Sequence, residues 1–312
     1  YYILKIPYEK YELLRMPNFG FVHNKKLHLD YGTRNFIIGI NKQIEFTIVD
    51  NNGKSFKNLP KPGKNDDEKI AKQSEELFSN LKKEIKDFLK AKKDKMIAYM
   101  TEKRLMTFED FKYLFMENPV MGHFANSLIF GVYDDERKLI KTFLYMEDGS
   151  FIDKNGDDFK LNETDKISIV HPIDLTKEDI DKWKQIIADY EIEQPFRQID
   201  RSVYVLTEEN KNNKSIDDFK DKKILSITLW SKLTNNLGWS RGSVEDGGWY
   251  YNFYKHVAGI YIYLEFSGAD VSGYDKFSEV TVGSLTFSGK TLAEISPLVI
   301  SEIYNEIKSV VG

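Results

Sequence analysis

Ser127-Leu128-Ile129-Phe130-Gly131-Val132-Tyr133 leads into Asp134-Asp135, and Leu139-Ile140-Lys141-Thr142-Phe143-Leu144-Tyr145-Met146 follows. Asp148-Gly149 then precedes Ser150-Phe151-Ile152-Asp153. These short runs are rich in aromatic and β-branched side chains, and acidic or glycine-bearing turns separate them. The pattern predicts an antiparallel β-meander, because such side chains fit a pleated surface and Asp and Gly supply turn geometry.

Upstream of the meander, Thr107 has the position of an N-cap, with Asp110 three residues on as in a capping box. Phe108, Phe111, Leu114 and Phe115 supply the apolar face of a short helix, which Asn118-Pro119 ends. A second short turn is expected over 120–126. Further back, Ile70, Leu77, Leu81, Ile85, Phe88 and Leu89 recur at helical spacing. Asp66, Asp67 and Glu68 stand at the start of this run and Lys90, Lys92, Lys93 and Lys95 near its end, as the helix macrodipole favours. The spacing predicts a long amphipathic helix from Asp66 to about Met100. Leu59-Pro60-Lys61-Pro62-Gly63 is a connector, since Pro breaks both helix and ladder. Before it, Phe36, Ile38 and Ile40, then Ile44, Phe46 and Ile48, alternate about a turn at Asn41-Lys42-Gln43, and Asn51-Asn52-Gly53 marks another turn.

Downstream, 166–170 reads as a strand stopped by His171-Pro172. Thr176 caps a helix carrying Ile180, Trp183, Ile187 and Tyr190 on one face. Residues 207–221, rich in Lys, Asn and Asp, form a boundary or loop. Residues 222–235 are readable as helix or strand. Strands are expected over 249–254, 259–267 and 280–287, and a closing helix over 295–311 presents Leu298, Ile303 and Ile307. The fold class is α+β: an antiparallel β-meander with a long amphipathic helix, plus a smaller β-rich domain closed by a C-terminal helix. The domains are placed at 21–206 and 207–312, with 1–20 an extension from a larger protein, since the chain opens on Tyr1-Tyr2 rather than Met.

The chain has 312 residues, 41% of them hydrophobic and 14% aromatic, which is enough to bury a large core. A net charge of −4 gives weak whole-chain support for nucleic acid or anionic membrane. The absence of Cys excludes disulfides and thiolate metal sites and suits a reducing compartment, here the cytoplasm. The longest apolar runs are too short to span a membrane. Phosphate-loop, dinucleotide, zincin and hydrolase-elbow signatures are missing, so no metal and no cofactor are expected.

Candidate residues remain. His171 ends a strand before Pro172, where an imidazole can act as a general base or simply cap the strand end. Glu191, Glu193, Gln194, Arg197 and Arg201 crowd the segment after the Trp183 helix and fit either a polar-ligand site or an ion-pair network. The strongest candidate is the loop from Gly238 to Trp249. It joins close-approach glycines to Trp239, Arg241, Glu245, Asp246 and Trp249. It fits a ligand or partner contact, or a packed hairpin with Arg241 paired to Glu245 or Asp246. The aromatic run from Trp249 to Tyr254 has few interleaved cations, which favours core packing over base stacking.

Several blocks taken together resemble a bacterial domain of unknown function. They are Leu29-Asp30-Tyr31-Gly32-Thr33-Arg34-Asn35-Phe36, Leu59-Pro60-Lys61-Pro62-Gly63 with Asp66-Asp67, Thr107-Phe108-Glu109-Asp110-Phe111, Ile169-Val170-His171-Pro172-Ile173, Ala188-Asp189-Tyr190-Glu191-Ile192-Glu193-Gln194-Pro195-Phe196 and Gly238-Trp239-Ser240-Arg241-Gly242. That domain occurs in molybdate metabolism regulator (MolR)-like proteins, some of them WGR-associated. Met106 and Phe130 depart from the family pattern, where Trp is expected. The resemblance implies a large bacterial protein and supplies no catalytic residues. The leading expectation is therefore a non-catalytic interaction or regulatory module that meets a protein partner or flanking domains of its own chain through the 239–249 loop. One alternative is an enzyme with His171 as base and Arg197 or Arg241 as anion clamp. A second is a nucleic-acid-associated module using the lysines from Lys90 to Lys95.

Overall fold

The computed structural model describes residues 17–21, 26–41, 45–118, 120–245, 247–274 and 276–312. Of the residues singled out above, Tyr1, Tyr2, Lys42, Gln43, Ile44, Pro119 and Asp246 lie outside the described residues. The fold is mixed α+β, with three antiparallel sheets and two long helices, and the chain divides into two units, Tyr1–Asp200 and Arg201–Gly312.

In the first unit, β1 (Leu27–Asp30), β2 (Asn35–Ile40), β3 (Phe46–Asp50) and β4 (Ser55–Phe56) form a meander in sequence order. The alternation does what it predicts: Leu27, Leu29, Phe36, Ile38 and Ile48 point to a core. Helix α1 (Glu68–Thr101) covers that core with Ala71, Phe78, Leu81 and Ile85. Leu77, expected on the apolar face, is 53% exposed, because the buried stripe runs through Phe78 instead. With 34 residues the helix is about 50 Å long at 1.5 Å per residue. It outruns one small sheet, and its last turns carry Met96, Tyr99 and Met100 into a second core.

Two of the blocks that carry the family resemblance meet at the start of α1. Asp67 is the N-cap, and its side chain accepts from the Ile70 N–H. Asp66 instead accepts from the Arg34 guanidinium, the Thr33 hydroxyl (2.8 Å) and the Gly63 N–H (2.6 Å). Arg34 also donates to the Lys61 carbonyl at 3.1 Å, and the Tyr31 hydroxyl to that of Pro60 at 2.9 Å. Gly32 has φ +84°, and an added Cβ would lie 3.0 Å from the Asp67 Cβ, so this turn requires glycine. These residues lock the Pro-rich connector onto the sheet.

The predicted meander is β6 (Phe130–Tyr133), β7 (Leu139–Tyr145) and β8 (Phe151–Ile152). β9 (Lys166–Ile169) returns beside β6, and β5 (Met106–Thr107) pairs with β9, giving the order β5-β9-β6-β7-β8. β6 is buried along its whole length because both faces of the sheet are covered. One face meets Phe111, Phe115, Met96 and Met100. The other meets Trp183 and Ile186 of α4 (Lys177–Asp189). Capping boxes start α2 (Phe108–Phe111; Thr107 with Asp110) and α4 (Thr176 with Asp179), and the short helix α3 (Met121–Ala125) stands between them. The Trp183 Nε1 donates to Thr142 at 3.0 Å, satisfying a fully buried indole. Tyr190, expected on the apolar face of α4, is 45% exposed, because the helix ends there and Glu191 turns the chain at φ +52°.

The second unit is built on β10 (Ser215–Ile216), β11 (Lys223–Leu225), β12 (Ser240–Arg241), β13 (Trp249–Val257), β14 (Ile260–Asp270) and β15 (Glu279–Phe287). The path is β10-β15-β14-β13-β12, with β11 also pairing β15. The ambiguous stretch 222–235 is strand and then helix: β11 passes into α5 (Ser226–Ser231), whose Leu229 enters the core. Helix α6 (Pro297–Val311) supplies Ile300, Ile303 and Ile307 to that core. The division falls after Asp200, not after residue 206, because residues 201–206 are tied to α6. Arg201 pairs with Glu302 through two nitrogens, the Tyr204 N–H donates to the Ser301 hydroxyl, and the Asn305 amide donates to the Ser202 carbonyl. Among the described residues no helix is long and apolar enough to cross a membrane.

Candidate functional site

His171 is fully buried at the end of β9. Its Nδ1 accepts from the Ile173 N–H at 3.1 Å and caps the 3-10 turn Pro172–Asp174. That turn delivers Asp174 to the Lys103 ammonium at 2.8 Å and the Tyr133 hydroxyl at 3.3 Å. Burial, with Asp174 nearby, pushes the Tyr133 phenol far up. The cluster pins Lys103, two residues beyond α1, to the His-Pro turn, with the His171 ring buried. No local pattern marks Lys103 or Tyr133 as its members, because they approach Asp174 across 71 and 41 positions.

The segment 190–200 is held from beneath by two glutamines. Gln198 is fully buried; its carbonyl accepts from the Ile129 N–H at 2.9 Å, and its amide donates to the Ile129 and Val170 carbonyls, each at 2.8 Å. It thus imitates a strand partner where β6 begins and β9 ends. Gln194 donates to the Ser127 carbonyl and to Gln198, at 3.2 and 3.1 Å. Phe196 is buried in the core shared with Phe130. What the segment leaves outward is Glu191, Glu193 and Arg197. An open cleft on one side is lined by His123, Met146, Glu147 and Tyr190, and a shallow groove on the other by Lys184, Arg197 and Asp200. Arg201, grouped with this segment in the sequence, instead joins Glu302 in the second unit.

The loop singled out between Gly238 and Trp249 separates into an anchor and an outward part. Trp239 is buried, 3% exposed, and its Nε1 donates to Glu306 at 2.9 Å; Lys255 donates to the same carboxylate at 2.7 Å. Its ring is therefore a core element, not a stacking face. Arg241 is exposed and lies over the Tyr250 ring, 5.4 Å from its centroid; it forms no ion pair among the described residues. Burial pushes the Tyr250 phenol up, and Arg241 pulls it down. Glu245 is exposed and closes the turn through its backbone, donating to the Trp249 carbonyl at 2.7 Å. Trp249 is half-buried and lies against Gly268.

Beside this loop runs the β14–β15 connection, which carries no motif in the sequence. The Val271 N–H donates to the Gly248 carbonyl at 2.9 Å and brings the two loops to one end of the sheet. Tyr274 is 91% and Phe277 72% exposed, and Val244 and Val271 are exposed too. The available signal was two aromatic residues set in a Ser/Gly-bearing stretch between strands. Among the described residues no group of three or more His, Cys, Asp or Glu is placed to hold a metal ion. On α1, Lys90 and Lys93 face solvent, Lys92 lies over the Phe88 ring, where burial lowers its pKa, and Lys95 has a partner.

A family model described as a domain of unknown function (DUF4132) matches residues 53–239. The uncharacterized protein YehI of Escherichia coli (strain K12) is 27% identical over 230 residues, which is 73% of this chain. The chain spans 19% of the length of that relative. No solved structure matches.

Proposed function

The chain belongs to the DUF4132 family, and from that premise we propose that it is an interaction module, meeting a protein partner or another part of a longer polypeptide through the loops at one end of the C-terminal sheet. One observation carries this reading: the connection bearing exposed Tyr274, Phe277 and Val271 is joined by the Val271 N–H to Gly248 of the loop that bears exposed Val244 and Arg241. Several large apolar side chains left in water at one end of a sheet are the surface character of a partner site. Aromatic residues and Arg are also the side chains that concentrate binding energy. Trp239 contributes by rigidity, holding the loop to α6. A regulatory role in MolR-like, WGR-associated proteins is the finer form of the same proposal.

A photoreactive phenylalanine in place of Tyr274 tests it. The expected result is one discrete cross-linked product, suppressed by Phe277→Asp and by Val244→Asp. Diffuse adducts indifferent to those changes would sink the reading. So would enzymatic turnover that disappears with His171→Ala in a chain that remains folded.

A further inference from the structure

The outer face of β13 and β14 carries a second surface of different chemistry. Tyr261, Tyr263 and Glu265 follow one another on the solvent side of β14, while Ile262, Leu264 and Phe266 point inward. Across the ladder, Tyr254 stands opposite Tyr263 and His256 opposite Tyr261. The three tyrosine rings form a triangle with centroids 6.1, 6.3 and 6.4 Å apart, and the His256 ring lies 4.7 Å from that of Tyr261. Tyr261 is 47% exposed. Tyr251 extends the face, its ring lying on Gly268, where an added Cβ would approach to 2.6 Å. Glycine there makes room for the ring.

On this face the Glu265 carboxylate lies two residues along β14 from Tyr263. Solvent-facing positions of β14 and β15 carry Glu265 and Glu279. Lys255 is opposite the buried Ile262 and is tied to Glu306, on the inner side. Arg241 is opposite Phe253, also inner, while Lys223, opposite the solvent-side Thr281, lies with Glu279 toward the far end of β15 from Tyr263. Aromatic faces are electron-rich and attract ammonium and guanidinium groups. A carboxylate two residues along the same strand adds a point charge of the matching kind. Phosphate-bearing ligands carry the same negative sign as Glu265 and are disfavoured beside it, and stacking platforms for single-stranded nucleic acid need interleaved cations that these positions lack.

We propose that the Tyr254–Tyr261–Tyr263 face, with Glu265 beside it, docks a peptide segment bearing lysine or arginine side chains. This does not rest on the loop contact described above, which uses other residues. The probe is a fluorescently labelled peptide of alternating Gly and Arg, titrated against the 312-residue chain. Saturable binding is expected. Tyr261→Leu and Tyr263→Leu keep apolar bulk but remove the aromatic face, and each should weaken binding about threefold, roughly tenfold together. Glu265→Gln should weaken it about twofold and flatten its salt dependence, and Tyr→Phe at the same sites should preserve it. Circular dichroism on each variant checks the fold, and the Tyr→Phe series keeps the test decisive if a leucine variant unfolds. Loss of binding in a folded Tyr→Phe protein would overturn the proposal. So would absence of saturable binding, indifference to Tyr→Leu, or tighter binding of oligothymidylate or a neutral oligosaccharide than of the cationic peptide.

Discussion

The segment 190–200 and the loop 238–249 look alike in sequence: each sets Glu, Arg and an aromatic residue in a polar connection after a helix. The structure gives both the same underpinning, a buried side chain whose hydrogen bonds tie the loop to a sheet or helix. In the first it is Gln198, clamped to Ile129 and Val170; in the second it is Trp239, bonded to Glu306. What differs is the outward face. The first presents Glu191, Glu193 and Arg197 between two clefts, with its aromatic Phe196 buried. The second lies beside exposed Tyr274 and Phe277. The residues most recognisable in the sequence are thus largely anchors, and the surface offered to a partner comes from less conspicuous neighbours.

Gln198→Ala is the hardest blow to this comparison. It strips the Ile129 and Val170 backbone groups of partners in a dry site and should lower stability by about 3 kcal/mol in denaturant unfolding. A loss below 1 kcal/mol would mean that the clamp is redundant. Trp239→Phe removes one bond to a charged acceptor and should lower stability by about 2 kcal/mol. Its effect should shrink when Glu306→Gln is already present, since the two act through one contact.

A third anchored turn sharpens the contrast through pH. The Arg34 guanidinium, then the Gly63 N–H and Thr33 hydroxyl, hold the Asp66 carboxyl well below the usual carboxylate range, against the opposing pull of desolvation. A folded-state value below the unfolded one means that the stabilisation is complete above the unfolded pKa, about 4, and is lost as pH falls below it. Acid unfolding of the first unit should therefore steepen below about pH 4, and Asp66→Asn should flatten that limb while leaving Trp239→Phe proteins unaffected in their pH slope. Arg241→Ala should change stability by less than about 0.5 kcal/mol, as an exposed residue over one ring. A larger loss would show that the outward half of the loop is an anchor after all.

Much of the first unit was readable because its signals are local. The capping boxes at Thr107 and Thr176 each involve residues three positions apart, and the strand alternation of β1 to β3 needs only a solvent side and a core side. Local pattern failed where distance decides. Nothing near Lys166–Ile169 says that β9 lies beside β6, and nothing near Arg201 announces Glu302, 101 positions away.

The candidate sites divide the same way. The chain composition determined that cysteine chemistry is excluded, and the sequence pattern placed glycine, tryptophan and arginine together at 238–249. Only the tertiary structure decided that Trp239 is interior and Trp249 half-buried, that Gln198 meets Ile129 across 69 positions, and that Tyr274 and Phe277 remain in water. The physical reason is that burial is a property of what packs around a side chain. For these residues the packing comes from segments far along the chain, and no local period encodes it.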